Sequence, residues 1–121
     1  MTLTLISRFA AVIVCLPLAT ALIINSEYRS DNIFAVPDLI GCAILLTAAL
    51  LPTKKVQLPF TIGFGWMAGV ITTAAFGRLN SGDPTNALLN LAIATTYLVL
   101  AVLWARLLQK GNRELTQQAT E

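Results

Sequence analysis

Charged residues divide this chain into four long uncharged stretches. They have 18, 15, 22 and 22 residues and cover 9–26, 39–53, 56–77 and 84–105. A helix needs about 20 apolar residues to cross a bilayer, and about 17 to 25 are tolerated. The second stretch reaches this length when its helix begins near residue 33, with Asp38 at the membrane interface. The pattern therefore predicts four membrane-spanning helices, at about 8–26, 33–52, 57–79 and 84–106.

Residues that favour helix ends support these limits. Asp83 followed by Pro84 is typical of an N-cap and a first helical position, because the N–H that proline lacks would be unused there. The polar segment 109–121 either extends the fourth helix or frays, and Gly111 with Asn112 predicts a helix stop. The chain thus divides into a four-helix transmembrane domain, residues 1–108, and a polar cytoplasmic tail, 109–121.

The composition excludes most other classes of protein. Of the 121 residues, 56% are hydrophobic and 12% charged, and the mean hydropathy is +0.74. Soluble domains contain about 25% charged residues, so this chain has about half the usual fraction of charged residues for a water-exposed surface. We therefore expect an all-α four-helix transmembrane bundle. The first stretch also resembles a secretory signal ending at Ala19-Thr20-Ala21, but an uncleaved first helix is the preferred interpretation.

The distribution of charges predicts the orientation in the membrane. If both termini share one side, that side carries six basic residues, and the opposite side carries only Arg29 and Arg78. Basic residues in short loops favour the cytoplasmic side. Both termini are therefore predicted to be cytoplasmic. The minimal loops indicate a multi-pass protein of a prokaryotic inner membrane.

Small residues recur at every fourth position of the third predicted helix. We call this set the small-residue ridge: Thr61, Gly65, Gly69, Thr73 and Gly77. Gly65 and Gly69 form a GxxxG motif, which lets two helix backbones approach closely in lipid. Packing against another helix of the same chain is the preferred interpretation, and a seam between two copies is the alternative.

Charged residues gather at the predicted outer side of the bundle. This outer polar cluster contains Arg78, Asp38, Asp83, Glu27 and Arg29. Arg78 near the hydrocarbon edge needs a carboxylate partner, which either Asp38 or Asp83 could supply. The cluster either stabilises the helix ends, or forms a polar mouth for a small molecule, a lipid headgroup or a partner loop.

Few residues in the chain suggest enzyme chemistry. It has no histidine, and its two cysteines, Cys15 and Cys42, lie in apolar stretches where packing roles are expected. No charged residue lies at mid-membrane, which weakens a proton-coupled transport mechanism. The net charge of +2 gives no basis for nucleic-acid binding. We expect no catalytic residues, no metal site and no cofactor.

The segment 76–84 resembles a segment of small DoxX-like four-helix membrane proteins, in a branch of uncharacterised function. Gly77, Arg78 and Ser81 match the glycine-arginine-x-x-serine pattern that follows the third helix in that branch. The plan of four helices in a short chain is also similar. Where those relatives often carry a glutamate in the fourth helix, residues 94–97 read Ala-Thr-Thr-Tyr. The resemblance implies the four-helix architecture and an association with membrane redox partners.

Three functions follow as expectations. The first is a non-enzymatic accessory or assembly partner of a larger membrane complex, or a homo-oligomer. The second is a small-solute transporter or channel formed by oligomerisation, with an outer mouth around Arg78, because four helices fill their own centre with side chains. The third is a DoxX-like, redox-associated membrane protein. Beyond the lipid bilayer, the expected partners are further copies of the chain or other membrane proteins.

Overall fold

The computed structural model describes residues 2–121 and contains helices without strands over that range. An all-α fold is therefore confirmed. The helices are α1 (Leu3–Ile24), α2 (Ser26–Ser30), α3 (Ala35–Leu50), α4 (Gln57–Asn80) and α5 (Pro84–Thr120), with a single 3-10 turn at Thr53–Lys55. Three of them, α1, α4 and α5, are long and apolar enough to cross a membrane, whereas α3 is a shorter apolar helix.

Side chains at the helix starts explain where the chain changes direction. Thr2 accepts a hydrogen bond from the Leu5 N–H at the start of α1, and Asp83 accepts one from the Asn86 N–H at the start of α5. Gly82 has a φ of 81°, a left-handed conformation that glycine adopts without steric cost. The turn between α4 and α5 is therefore determined locally.

The end of α5 differs from the sequence-based expectation. The predicted stop at Gly111 and Asn112 is wrong, because α5 continues through both residues to Thr120. Of the two alternatives for the segment 109–121, the structure has the extended helix. A single glycine lowers helix stability by only about 1 kcal/mol relative to alanine. The helix formers on either side of Gly111 can compensate for that cost.

The long helices form an up-and-down bundle of sequential neighbours. α1 packs against α3, α3 against α4, and α4 against α5, the last pair being the most extensive. Two hydrogen bonds from α5 to α1 close the ring. We call the end with the loop between α4 and α5 the Arg78 end, and the opposite end the Lys54 end.

Aromatic side chains fill the part of the core toward the Lys54 end. The ring centroids of Phe60 and Phe64 on α4 are 5.3 Å apart, and Phe60 lies 5.4 Å from Trp104 on α5. Tyr97 meets Phe64 edge to face at 4.9 Å. Such pairs contribute about 0.5–1.5 kcal/mol beyond the area they bury. The large rings therefore hold α4 and α5 together.

The polar atoms of these aromatic residues are paired with α1. The Tyr97 hydroxyl donates to the Ala10 carbonyl at 2.8 Å, and the Trp104 indole N–H donates to the buried Ser7 hydroxyl at 2.8 Å. Arg8 donates to the Leu51 carbonyl at the end of α3, also at 2.8 Å. These three bonds fix the register of α1 against α3 and α5, although Nε of Arg8 is buried without a partner.

Candidate functional site

Arg78 forms its ion pair within the turn that follows its own helix. Its Nη1 atom donates to Oδ2 of Asp83 at 3.3 Å, and both side chains are partly exposed. Asp83 also accepts from the Asn86 side chain at 2.8 Å. Hydrogen bonds from Asn86 and the charge of Arg78 hold the pKa of Asp83 below its usual value. Of the two partners considered for Arg78, the structure has Asp83.

Asp38 occupies a different environment in the first turn of α3. Its residue surface is only 7% exposed, yet it lines an open cavity. Among residues 2–121, no side chain or backbone N–H donates a hydrogen bond to its carboxylate. Asp38 is thus a buried acidic group whose oxygen atoms face space instead of a protein donor.

This cavity lies between the helices at the Arg78 end and measures about 380 Å³. It has apolar walls and a polar rim. The apolar lining residues are Val14, Leu18, Phe34, Ile71, Ala74, Gly77 and Ile93. The polar ones are Tyr28, Asn32, Asp38, Arg78, Ser81 and Asn90. Ligand pockets of about 300–1,000 Å³ commonly combine an apolar lining with a few polar groups.

The other members of the outer polar cluster stand apart from this cavity. Arg29 donates to the carbonyls of Leu22 and Ile23 at 3.4 and 3.3 Å, at the end of α1. This arrangement is typical of a cation that stabilises a helix C-terminus. Glu27 lines a shallower depression that it shares with Arg78. Of the five predicted residues, the structure brings Arg78 and Asp38 to one cavity.

The small-residue ridge lies on the outside of the bundle. Gly65, Gly69 and Gly77 are exposed, and a Cβ atom added at any of them would meet nothing within 4 Å. The preferred interpretation, packing against a helix of the same chain, is therefore wrong. Thr73 of the ridge is also exposed, and its hydroxyl donates to the Gly69 carbonyl at 3.0 Å, so it needs no outside partner.

The glycines that bring helices together are two that the sequence analysis did not select. An added Cβ at Gly63 would lie 2.7 Å from a Leu45 methyl group. At Gly41 it would overlap the Met67 side chain. These two positions let α3 and α4 approach closely. Neither belongs to a GxxxG motif, so no local signal in the sequence marks them.

The two cysteines belong to the core. Cys15 on α1 and Cys42 on α3 are almost fully buried and lie in the same hydrophobic cluster. They contribute to the contact between α1 and α3. Among residues 2–121, no group of three His, Cys, Asp or Glu side chains is arranged to hold a metal ion.

Comparison with known proteins gives no assignment for this chain. No family model matches it, and no curated protein or solved structure is significantly similar to it. Functional inference therefore depends on the physical features of the fold itself. Those features are the cavity with Asp38 and the exposed small-residue ridge.

Proposed function

We propose that this chain is a small, non-enzymatic protein of a prokaryotic inner membrane that assembles with a second copy or a partner membrane protein. In this proposal α1, α3, α4 and α5 all cross the bilayer, with both termini in the cytoplasm. Association takes place along the small-residue ridge of α4. The DoxX-like resemblance is a separate prediction about ancestry, and the assembly proposal does not depend on it.

The six-to-two division of basic residues supports the orientation. The 16 residues of α3 span about 24 Å at 1.5 Å per residue, somewhat less than the hydrocarbon core of about 30 Å. The segments next to α3 extend its path, and Asp38 then lies near the outer interface. Single cysteines at positions 30 and 81, without Cys15 and Cys42, should react with an impermeant thiol reagent in intact cells. Labelling at position 54 or 112 would contradict this orientation.

The exposed ridge on α4 carries the assembly proposal. Glycine lowers helix stability by about 1 kcal/mol relative to alanine, so the two glycines on one exposed face, Gly65 and Gly69, are a cost that internal packing does not explain. Gly65 and Gly69 also border two surface depressions, one toward α3 and one toward α5. In lipid, small residues let a second helix approach closely, and the packing gained there stabilises association.

Substitution of one ridge glycine tests the assembly. Gly69→Leu should leave the folded chain intact, because Gly69 is exposed and a Cβ atom added there would meet no other atom within 4 Å. It should also abolish cross-linking between copies or to a partner in native membranes. Ala92→Leu adds a similar bulk on the exposed side of α5 and serves as the matched control. Cross-linking that survives Gly69→Leu unchanged would contradict the proposal.

The same experiment separates the possible partners. If the partner is a second copy, the purified chain alone should give a dimer that Gly69→Leu dissociates. If it is another protein, the cross-linked product should appear only in native membranes and should contain a second sequence by mass spectrometry. In both cases the proposal requires that Gly69→Leu abolishes the dimer or the cross-linked product.

Small-solute transport is a second proposal, favoured by the cavity at the Arg78 end. Within one copy the aromatic side chains of Phe60, Phe64, Tyr97 and Trp104 fill the core toward the Lys54 end. A continuous path would therefore run between copies of the chain. This function needs the oligomer of the first proposal, so a strictly monomeric protein in native membranes would exclude it.

A further inference from the structure

The unpartnered carboxylate of Asp38 is the least expected feature of the fold. Burying an ionised carboxylate is costly unless hydrogen bonds or an opposite charge compensate. Arg78, which lines the same cavity, already donates to Asp83. No donor among residues 2–121 is directed at Asp38, although its residue is only 7% exposed. Asp38 lies in the first turn of α3, where the helix dipole favours a negative charge, and any further compensation must come from the cavity that this carboxylate faces.

The cavity combines features that water alone does not match. Its polar groups lie at helix ends or within the first turns, as with Ser81 after α4 and Asn90 in α5. Its apolar walls come from positions further inside the bundle, such as Val14 on α1 and Ile71 on α4. Water could hydrate the carboxylate, but the apolar walls would then stay in contact with water, which is unfavourable. An occupant with one cationic group and an apolar body satisfies both regions.

We propose that this cavity binds a small amphipathic primary amine, with its ammonium group against Asp38 and its apolar part between α1, α4 and α5. A single ammonium balances the single unpaired carboxylate and can donate up to three hydrogen bonds to it and to nearby polar groups. A divalent metal does not fit this lining, which offers one carboxylate and no thiolate or imidazole. The ammonium can belong to a free amine or to an aminophospholipid headgroup.

Butylammonium is a suitable probe, with butanol as its uncharged counterpart of similar size. In detergent, butylammonium should raise the unfolding temperature of the full chain, whereas butanol at equal concentration should not. Asp38→Asn should weaken the butylammonium affinity by about tenfold or more, because a charge-assisted hydrogen bond is lost. The control Asp31→Asn removes an exposed acid that does not line the cavity, and should keep the wild-type response.

A second variant tests the cavity without changing the charge. Ala74→Leu adds bulk to the lining and should reduce butylammonium binding while Asp38 is retained. This result keeps the proposal testable if Asp38→Asn folds poorly. Equal stabilisation of the wild type and both variants by butylammonium would overturn the proposal. So would equal stabilisation of the wild type by butanol and butylammonium, or no stabilisation by butylammonium in detergent.

Lipid nanodiscs then distinguish the two sources of the amine. If the natural occupant is a lipid headgroup, phosphatidylethanolamine discs should suppress the butylammonium effect, and phosphatidylglycerol discs should preserve it. If the occupant is a free amine, the effect should be equal in both discs. Both results support the amine site, and both are independent of whether Gly65 and Gly69, which do not line the cavity, form a seam between copies.

Discussion

The two ends of this bundle differ in how completely side chains fill the space between the helices. Toward the Lys54 end, the Trp104 indole and the Tyr97 hydroxyl are each paired with a group on α1 at 2.8 Å, and aromatic rings fill the space around them. Toward the Arg78 end, Asp38 is buried without a donor and faces a cavity of about 380 Å³. The first arrangement stabilises the fold, whereas the second leaves a space that a ligand could fill.

This contrast teaches that burial alone does not identify a functional residue. Tyr97 and Asp38 are both largely buried, but Tyr97 has its hydrogen-bond partner 87 residues away in the same chain. Asp38 instead has no protein donor among residues 2–121, and its carboxylate is open to the cavity, where an occupant can compensate its charge. The predictions below test whether the two ends differ in this way.

The largest expected effect concerns the aromatic core toward the Lys54 end. Phe64 is fully buried, whereas Phe76 on the same helix is 57% exposed. Phe64→Ala should lower the free energy of unfolding by about 3–5 kcal/mol, because it removes apolar contacts and leaves a hole. Phe76→Ala should change it much less, since that side chain faces lipid. Equal losses in a detergent unfolding assay would show that the core is not where the structure places it.

The next effect concerns the two faces of α4. Gly63→Leu should destabilise the folded chain by about 1–3 kcal/mol or more, because Leu45 occupies the space that a side chain would need. Gly69→Leu should not lower the unfolding free energy of the single chain, and should raise it by up to about 1 kcal/mol because leucine favours the helix more than glycine does. The measurement is unfolding in detergent at a concentration where the chain is monomeric. The reverse order of effects would mean that the small-residue ridge packs inside the bundle.

A smaller effect is expected from removing one hydroxyl group. Tyr97→Phe should cost about 1 kcal/mol, because the hydrogen bond to the Ala10 carbonyl is lost. Tyr28→Phe at the cavity rim removes a hydroxyl that is free of protein partners among residues 2–121, so its effect on unfolding should be close to zero. Similar losses in the two variants would remove the distinction between the paired and the open end.

The smallest effect is a dependence on pH at the turn between α4 and α5. Because Asn86 and Arg78 lower the pKa of Asp83 in the folded chain, its ionised form favours folding above the unfolded-state value of about 4. This contribution is lost as the pH falls through the lower folded-state pKa. Asp83→Asn should therefore lose less stability than the wild type between about pH 5 and about pH 3. Parallel stability curves for Asp83→Asn and the wild type would refute this effect.

The sequence predicted the starts of α4 and α5 well because these depend on local features, whereas α1 begins at Leu3 instead of near residue 8 and the short α2 was not predicted. Uncharged stretches and the Asp83-Pro84 pair place α4 and α5 within a residue or two of their observed starts. The pairing of Arg78 with Asp83 was one of two alternatives, and its short separation made it accessible to sequence reasoning. The extension of α5 through Gly111 was not accessible in this way. A single weak helix former does not end a helix when the residues on either side favour helix.

The sequence could not show which face of α4 lies inside. In a soluble helix, polar residues mark the outer face, but lipid accepts apolar residues on every face. Glycines therefore occur on both sides of α4, at Gly63 facing α3 and at Gly69 facing outward. The cavity was also hidden, because Asp38 and Asn90 line it from separate helices. Only the arrangement of four helices brings them to one space.

Reactivity of a single cysteine at position 38 tests the central difference between the two ends most directly. The measurement compares it with a cysteine at position 101, a buried position beside the aromatic core, in chains lacking Cys15 and Cys42. A small water-soluble thiol reagent should modify the folded protein at position 38, through the cavity, and leave position 101 unmodified. Equal protection of both positions would show that the Arg78 end is as closed as the Lys54 end, and would contradict the account.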